Sequence, residues 1–234
     1  KPKPMVTIGG KPILWHIMKG YAHYGYREFV LALGYKGWMI KEYFLNEKNF
    51  TTDFTLKTAG DSIEYHGNGQ DDFIITFVDT GEDSLTGDRL LRVKSHLGNE
   101  PFMLTYGDGV SNIDIKKLVD FHHQQRTVAT ITGAHPHSKY GLVKMDQSTH
   151  LVTSFDQKPV LHDYVNSGFM VFQPEAFSYV QPDMIEESLR RMVSDKQLSI
   201  YEHDGFWKSM DTYAEMEDLN RMWAADRPWA VWQK

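Results

Sequence analysis

Residues 102–109 read FMLTYGDG, and the fold is decided there. Phe102, Met103, Leu104 and Thr105 favour β-structure and make a short apolar run of the kind that fills the interior of a sheet. Gly107, Asp108 and Gly109 follow. A carboxylate between two glycines after such a strand stands at the carboxyl edge of a sheet. Glycine allows the backbone to turn sharply and a ligand to come close, and open α/β sheets bind their ligands at that edge. Asp108 is therefore a candidate ligand for Mg²⁺, which prefers hard oxygen donors. Taken alone, the octapeptide reads better as a plain turn, since Asp and Gly dominate turns. The rest of the chain has to shift that balance.

Outward from this strand, helices and strands alternate. Towards the N-terminus, Pro12 opens a helix whose apolar face carries Ile13, Ile17 and Met18, and Gly25 stops it. Residues 29–33 (FVLAL) form a strand ended by Gly34, and a helix follows near 38–45. Residues 54–66 read as irregular or strand-like. Residues 73–78 (FIITFV) are a buried strand, and Thr86 opens a helix with Leu90, Leu91, Val93 and Leu97. Towards the C-terminus, Asp114 caps a helix running to about Gln125, and 127–132 (TVATIT) is a strand. Such alternation marks a parallel α/β sheet. Beyond 134, short strands at 141–145, 152–155 and 164–172 suggest an antiparallel layer added to that sheet. Helices at 174–180 and 185–193, a strand at 198–201 and a last helix at 214–225 complete the reading. The tail, 227–234, has two tryptophans and a proline and is expected to pack against the body. The expected class is α/β: a Rossmann-like, mostly parallel sheet flanked by helices, with a small antiparallel β layer.

Composition narrows the function. The 234 residues suit one large domain with an ample core. The formal charge of −6 argues against a general affinity for nucleic-acid backbone or anionic membrane. No cysteine is present, which removes disulfides, zinc-thiolate sites and thiol nucleophiles. With no apolar run of membrane-spanning length and no signal peptide, a cytoplasmic location is expected. Lys1-Pro2-Lys3-Pro4 reads as extended, each lysine preceding a proline. A domain rarely opens on a stiff, charged loop, so a preceding segment is expected to be missing here.

Candidate chemistry comes from loops far apart in sequence. Lys3, the 79–89 loop, Asp108, Lys158, Asn166 and Asp211 all fall in turns or at strand ends. Two carboxylates, Asp108 and Asp211, could share one Mg²⁺, leaving sites for phosphate oxygens and water. The plainer role of Asp211 is to cap the last helix. Lys3 and Lys158 can meet phosphate as point charges or remain solvated surface lysines. Pro159 is expected to hold Lys158 in an extended backbone. Neither a dinucleotide loop nor a P-loop is present. His122 and His123 point in divergent directions on a helix, and His135 and His137 lack further zinc ligands. No Gly-x-Ser-x-Gly elbow supports an acyl-transfer hydrolase.

Five segments together carry a resemblance: 1–19 (KPKPMVTIGGKPILWHIMK), 34–44 (GYKGWMIKEYF), 78–87 (VDTGEDSLTG), 105–109 (TYGDG) and 205–212 (GFWKSMDT). They resemble the sugar-phosphate nucleotidyltransferases, and within them the glucose-1-phosphate cytidylyltransferases, in order and from end to end. The resemblance implies a nucleotide-diphospho-sugar transferase fold, with a nucleotide-binding core at 1–134, a sugar-binding part at 135–212, and a C-terminal helix and tail at 213–234. It implies Mg²⁺-dependent joining of CTP and glucose 1-phosphate into CDP-glucose and pyrophosphate, for the synthesis of deoxysugars of surface polysaccharide, by a homo-oligomer. Lys3 matches the phosphate-contacting lysine, and Asp108 and Asp211 match the two metal carboxylates. Ser84, Thr86, Gly87, Arg89 and Gly107 match positions around the nucleotide. Gly141, Lys158 and Asn166 match positions for the sugar phosphate. A sister activity with dTTP, UTP or another sugar, or a non-catalytic binding role, is the alternative. Two departures stand out. The family's first strand and Gly-rich loop, ahead of the KPKP segment, have no counterpart in these residues. Gln157 also stands where a glutamate is usual, keeping hydrogen bonds but no charge.

Overall fold

The computed structural model describes residues 1–67, 71–138 and 140–233. Its central sheet has the strand order Leu198–His203, Ala129–Ala134, Val165–Phe172, Phe102–Thr105. The first two run parallel, while Val165–Phe172 runs antiparallel to both of its neighbours. Three of the four strands thus share one direction, and Thr105, Ala134 and His203 end at the same edge. A parallel pair, Glu28–Leu33 with Ile74–Asp79, repeats that arrangement. The mostly parallel α/β class holds. One strand changes place: Val165–Phe172, expected in the added antiparallel layer, lies inside the main sheet.

Alternation along these strands explains why both faces are covered. Phe169, Val171 and Met103 face one core with Ile13, Ile17, Ile115, Leu118 and Leu219. Met170, Phe172, Phe102 and Leu104 face another with Leu189 and Met192 of the helix Ile185–Ser194. Successive strand residues point to opposite faces, so a strand covered by helices on both sides reads as a continuous apolar run. The same rule splits the parallel pair. Leu31, Phe77 and Ile75 pack with Leu14, Met18 and Ile40, whereas Val30 and Val78 pack with Leu90, Val93 and Ile185.

Several local expectations shift. Lys3–Met5 is a turn of 3-10 helix rather than extended chain, with the Met5 N–H donating to the Pro2 carbonyl at 2.9 Å. Pro12 stands just ahead of the helix Ile13–His23. The helix expected near 38–45 runs over Gly37–Thr51, and residues 54–66 are a hairpin of Phe54–Lys57 with Ser62–Tyr65. Thr86–Val93 continues only as a 3-10 turn, and Pro174–Ser178 is 3-10 as well. The added antiparallel layer is the hairpin of Gly141–Met145 with Val152–Gln157. Among the described residues, no helix is long and apolar enough to cross a membrane.

The tail does pack on the body. Trp229 is fully buried, and its indole N–H donates to His16 Nδ1 at 3.3 Å. His16 Nε2 in turn donates to the Ile8 carbonyl at 2.8 Å, a pairing that requires the neutral ring protonated at Nε2. Burial pushes the His16 pKa down to about 4.

Candidate active site

The strand pair that builds the site was not legible as strands. Gly109–Ser111 pairs antiparallel with Trp207–Ser209, in the register Ser209↔Gly109, Lys208↔Val110 and Trp207↔Ser111. The Met210 N–H then donates to the Asp108 carbonyl at 2.8 Å. Asp108 and Asp211 leave the same end of this ladder, so backbone pairing alone brings together two carboxylates far apart in the chain. The Trp207 indole N–H holds the ladder to the main sheet through the Ser167 carbonyl at 2.9 Å.

Asp211 is not the helix cap. Thr212 takes that place for the helix Tyr213–Ala224: its hydroxyl accepts from the Glu215 N–H, and the Glu215 carboxylate accepts from the N–H groups of Thr212 and Asp211. This reciprocal capping box leaves the Asp211 side chain free for other work.

Lys3 completes the cluster. Its Nζ donates to Asp211 Oδ1 at 2.6 Å and reaches Asp108 Oδ2 at 3.5 Å. Side-chain exposures of 54% for Lys3, 29% for Asp108 and 47% for Asp211 leave the group open to a ligand. The hydrogen bond to Asp211 raises the Lys3 pKa, burial opposing it. Burial pushes the Asp108 carboxyl above its ordinary range; Lys3 opposes this and the nearby Asp211 charge adds to it. Pro4 packs on the backbone of Gly107, where an added Cβ would lie 2.8 Å from Pro4 Cγ. Glycine at 107 therefore sets how closely the Lys3 turn approaches Asp108.

The expected nucleotide residues lie in the loop after Ile74–Asp79. The Ser84 hydroxyl donates to the Thr80 carbonyl. The Arg89 guanidinium lies against Gly34, donating to the Thr80 hydroxyl at 2.7 Å and the Glu82 carbonyl at 3.0 Å. Among the described residues it forms no ion pair. Thr86 and Gly87 bind the segment before the helix Ile185–Ser194: the Ile185 N–H donates to the Thr86 hydroxyl and the Gly87 N–H to the Asp183 carbonyl, both at 2.8 Å. One residue on, Glu186 accepts the Tyr106 hydroxyl at 2.6 Å. The loop of these expected nucleotide residues and the loop carrying Asp108 are thus tied to neighbouring residues of one helix start, a link that sequence spacing gives no signal for. The Tyr106 ring fits against Gly168, whose φ of +84° is a glycine conformation. The Gly168 N–H donates to Asn166 Oδ1 at 3.0 Å, so Asn166 adjoins the same loop.

Gly141 and Lys158 stand apart on the added hairpin. Gly141 pairs with Gln157, whose side-chain oxygen would be 2.9 Å from a Cβ there. Lys158 is exposed, with a φ of +50°, so the extended backbone expected before Pro159 is not formed. Among the described residues, neither is tied to Asp108 or Asp211 by a hydrogen bond or ion pair. His122 is a core histidine, held between the Thr130 hydroxyl and Gln173.

The donor set fits a divalent cation of the Mg²⁺ type. Two oxygen ligands converge, already bridged by a stand-in cation, the Lys3 ammonium. Mg²⁺ is commonly held by one or two carboxylates, with water and substrate phosphates filling the rest. No group of three or more His, Cys, Asp and Glu side chains able to hold a metal occurs among the described residues.

Known proteins resemble this chain along nearly its whole length. The Nucleotidyl transferase family profile matches residues 1–222. The chain is 40% identical over 236 residues to the probable glucose-1-phosphate cytidylyltransferase of Bacillus subtilis, covering 99% of this chain and 92% of that protein. It is also 40% identical over 239 residues to the glucose-1-phosphate cytidylyltransferase of Salmonella typhi, covering 100% and 92%. Among solved structures, HddC from Yersinia pseudotuberculosis complexed with GMP-PN superposes with a TM-score of 0.67 at 18% identity, covering 95% of this chain and 90% of that one. At that identity the likeness speaks for the fold alone.

Proposed function

The chain belongs to the nucleotidyl transferase family, and we propose that it transfers the cytidylyl group of CTP to α-D-glucose 1-phosphate, giving CDP-glucose and pyrophosphate. The observation that carries this reading is the cluster of Lys3, Asp108 and Asp211 at the carboxyl edge of the sheet. The activity named for the relatives supports the choice of substrates. In this reaction a phosphate oxygen of the sugar phosphate forms a bond to the α-phosphorus as its bond to pyrophosphate breaks. Pyrophosphate departs with that electron pair, so no protein nucleophile is required, in keeping with a chain lacking cysteine.

Asp108 and Asp211 would hold the Mg²⁺ ion, which when bound supplies charge neutralisation for the transferring phosphoryl group. Lys3 meets the phosphates as a point charge from a fixed turn. Gly107 sets the approach of that turn, and Ser84, Thr86, Gly87 and Arg89 surround the nucleotide. Gly141, Lys158 and Asn166 bind the sugar phosphate, Lys158 from the added hairpin. We place the protein in the cytoplasm, and as a homo-oligomer. The exposed Leu142, Val143, Met145, Val152 and Phe155 of that hairpin support self-association.

The test is to incubate the protein with CTP, glucose 1-phosphate and Mg²⁺ and to measure pyrophosphate and CDP-sugar. Turnover with CTP well above that with dTTP or UTP is expected. Turnover only with dTTP or UTP would reassign the base, and nucleotide binding without pyrophosphate release would leave a binding protein.

A further inference from the structure

The seat between Asp108 and Asp211 is filled by the chain itself. Lys3 Nζ lies 2.6 Å from Asp211 Oδ1, an oxygen a divalent ion would need, and 3.5 Å from Asp108 Oδ2. A Mg²⁺ ion makes oxygen contacts of about 2.1 Å and carries two charges. Placed on those oxygens, it would repel an ammonium still bonded to one of them. The two cations exclude each other.

We propose that Lys3 is a displaceable placeholder: it bridges the two carboxylates while no metal is bound and moves onto substrate phosphate when a divalent cation enters. The proposal rests on the metal reading given above. Two further observations carry it. The Lys3 backbone is fixed, since the Met5 N–H bonds the Pro2 carbonyl, the Val6 N–H bonds the Lys3 carbonyl at 3.0 Å, and Met5 is buried. The exchange therefore needs only rotation of a four-carbon stem that is half exposed. The Asp211 carboxylate has no other duty, because Thr212 and Glu215 cap the helix behind it.

Function follows from this exclusion. Without nucleotide, a metal must expel the lysine into water. With nucleotide present, phosphate receives the ammonium, so the chain favours the metal and the triphosphate together. By reciprocity, each ligand tightens the other. The device also delivers the lysine to phosphate only once the metal is in place.

Replacing Lys3 by methionine keeps most of the stem and removes the charge. Mn²⁺ binding is read by electron paramagnetic resonance, without nucleotide and with CTP, for the native chain and the K3M, K3A, D108N and D211N variants. Without nucleotide, K3M and K3A are expected to bind Mn²⁺ about two- to fivefold more tightly than the native chain, the size allowed to an exposed ion pair. With CTP present that advantage disappears, because the native lysine now has phosphate to meet. Equal or weaker Mn²⁺ binding by K3M and K3A without nucleotide would overturn the proposal. If D108N and D211N bind Mn²⁺ as the native chain does, the metal reading itself fails. If they lose Mn²⁺ while K3M and K3A gain nothing, only the placeholder fails.

Discussion

An aspartate before a helix is ordinarily its cap, and whether Asp211 can serve a metal depends on the residue after it. The Thr212 hydroxyl and the Glu215 carboxylate satisfy the first turn between them, so the Asp211 carboxylate projects to Lys3 instead. The Thr-x-x-Glu spacing was there to be read; its consequence for Asp211 emerges only with the coordinates. Asp108→Asn and Asp211→Asn keep shape and remove charge, and each is expected to lower kcat by about 10²-fold or more, as loss of a preorganised charge does. Melting temperatures should stay close to the native value, because both side chains are accessible. Steady-state rates beside thermal melts check this. Gly107→Ala makes a different demand, since its Cβ meets the ring of Pro4 at 2.8 Å. Overpacking of this kind costs about 1–3 kcal/mol, and a shifted Lys3 turn should lower kcat/KM in a chain that still melts cooperatively.

At the scale of elements, the ladder of Gly109–Ser111 with Trp207–Ser209 sets the distance between the two carboxylates. Three-residue strands carry no periodicity to detect, which is why FMLT was legible as a strand and GVS was not. The long elements were legible because their apolar stretches are long: the continuous apolar run of 29–33 and the apolar face of the first helix both survive in the packing. The antiparallel direction of Val165–Phe172 was expected, but its place inside the main sheet was hidden, because an apolar run does not say which strands it pairs with. The capping box gives an element-scale test. Thr212→Ala should destabilise the chain by about 0.5–2 kcal/mol, the usual cost of losing such a cap. It should also weaken Mn²⁺ binding, since Asp211 then becomes the nearest replacement cap. Denaturation midpoints and Mn²⁺ titration together check this; a stability loss with unchanged Mn²⁺ affinity would separate the cap from the site.

At the scale of the whole molecule, the tail closes onto the first helix through Trp229 and His16. The aromatic tail announced that it would pack, but nothing in its sequence named a histidine as its partner. Its neutral ring makes stability depend on pH. The His16 pKa falls from 6.5 to about 4 on folding, so between those values the unfolded chain binds more protons. The contribution is complete above pH 6.5 and is lost as pH falls through about 4. Between pH 7 and 4.5 the native chain should lose about 2–3 kcal/mol more than a His16→Gln variant, from the size of this shift. Urea denaturation at the two pH values checks it. Association belongs to the same scale. Sedimentation should find an oligomer, and charged substitutions at Val143 and Phe155 should shift it towards monomer without changing the fold.

The central claim is that Asp108 and Asp211 meet at one divalent ion. Anomalous diffraction from crystals grown with Mn²⁺ and CTP tests it most directly. A single manganese peak within about 2.5 Å of an oxygen of each carboxylate, with Lys3 turned to phosphate, is the expected result. A peak bound by only one of them, or lying elsewhere in the molecule, would contradict it.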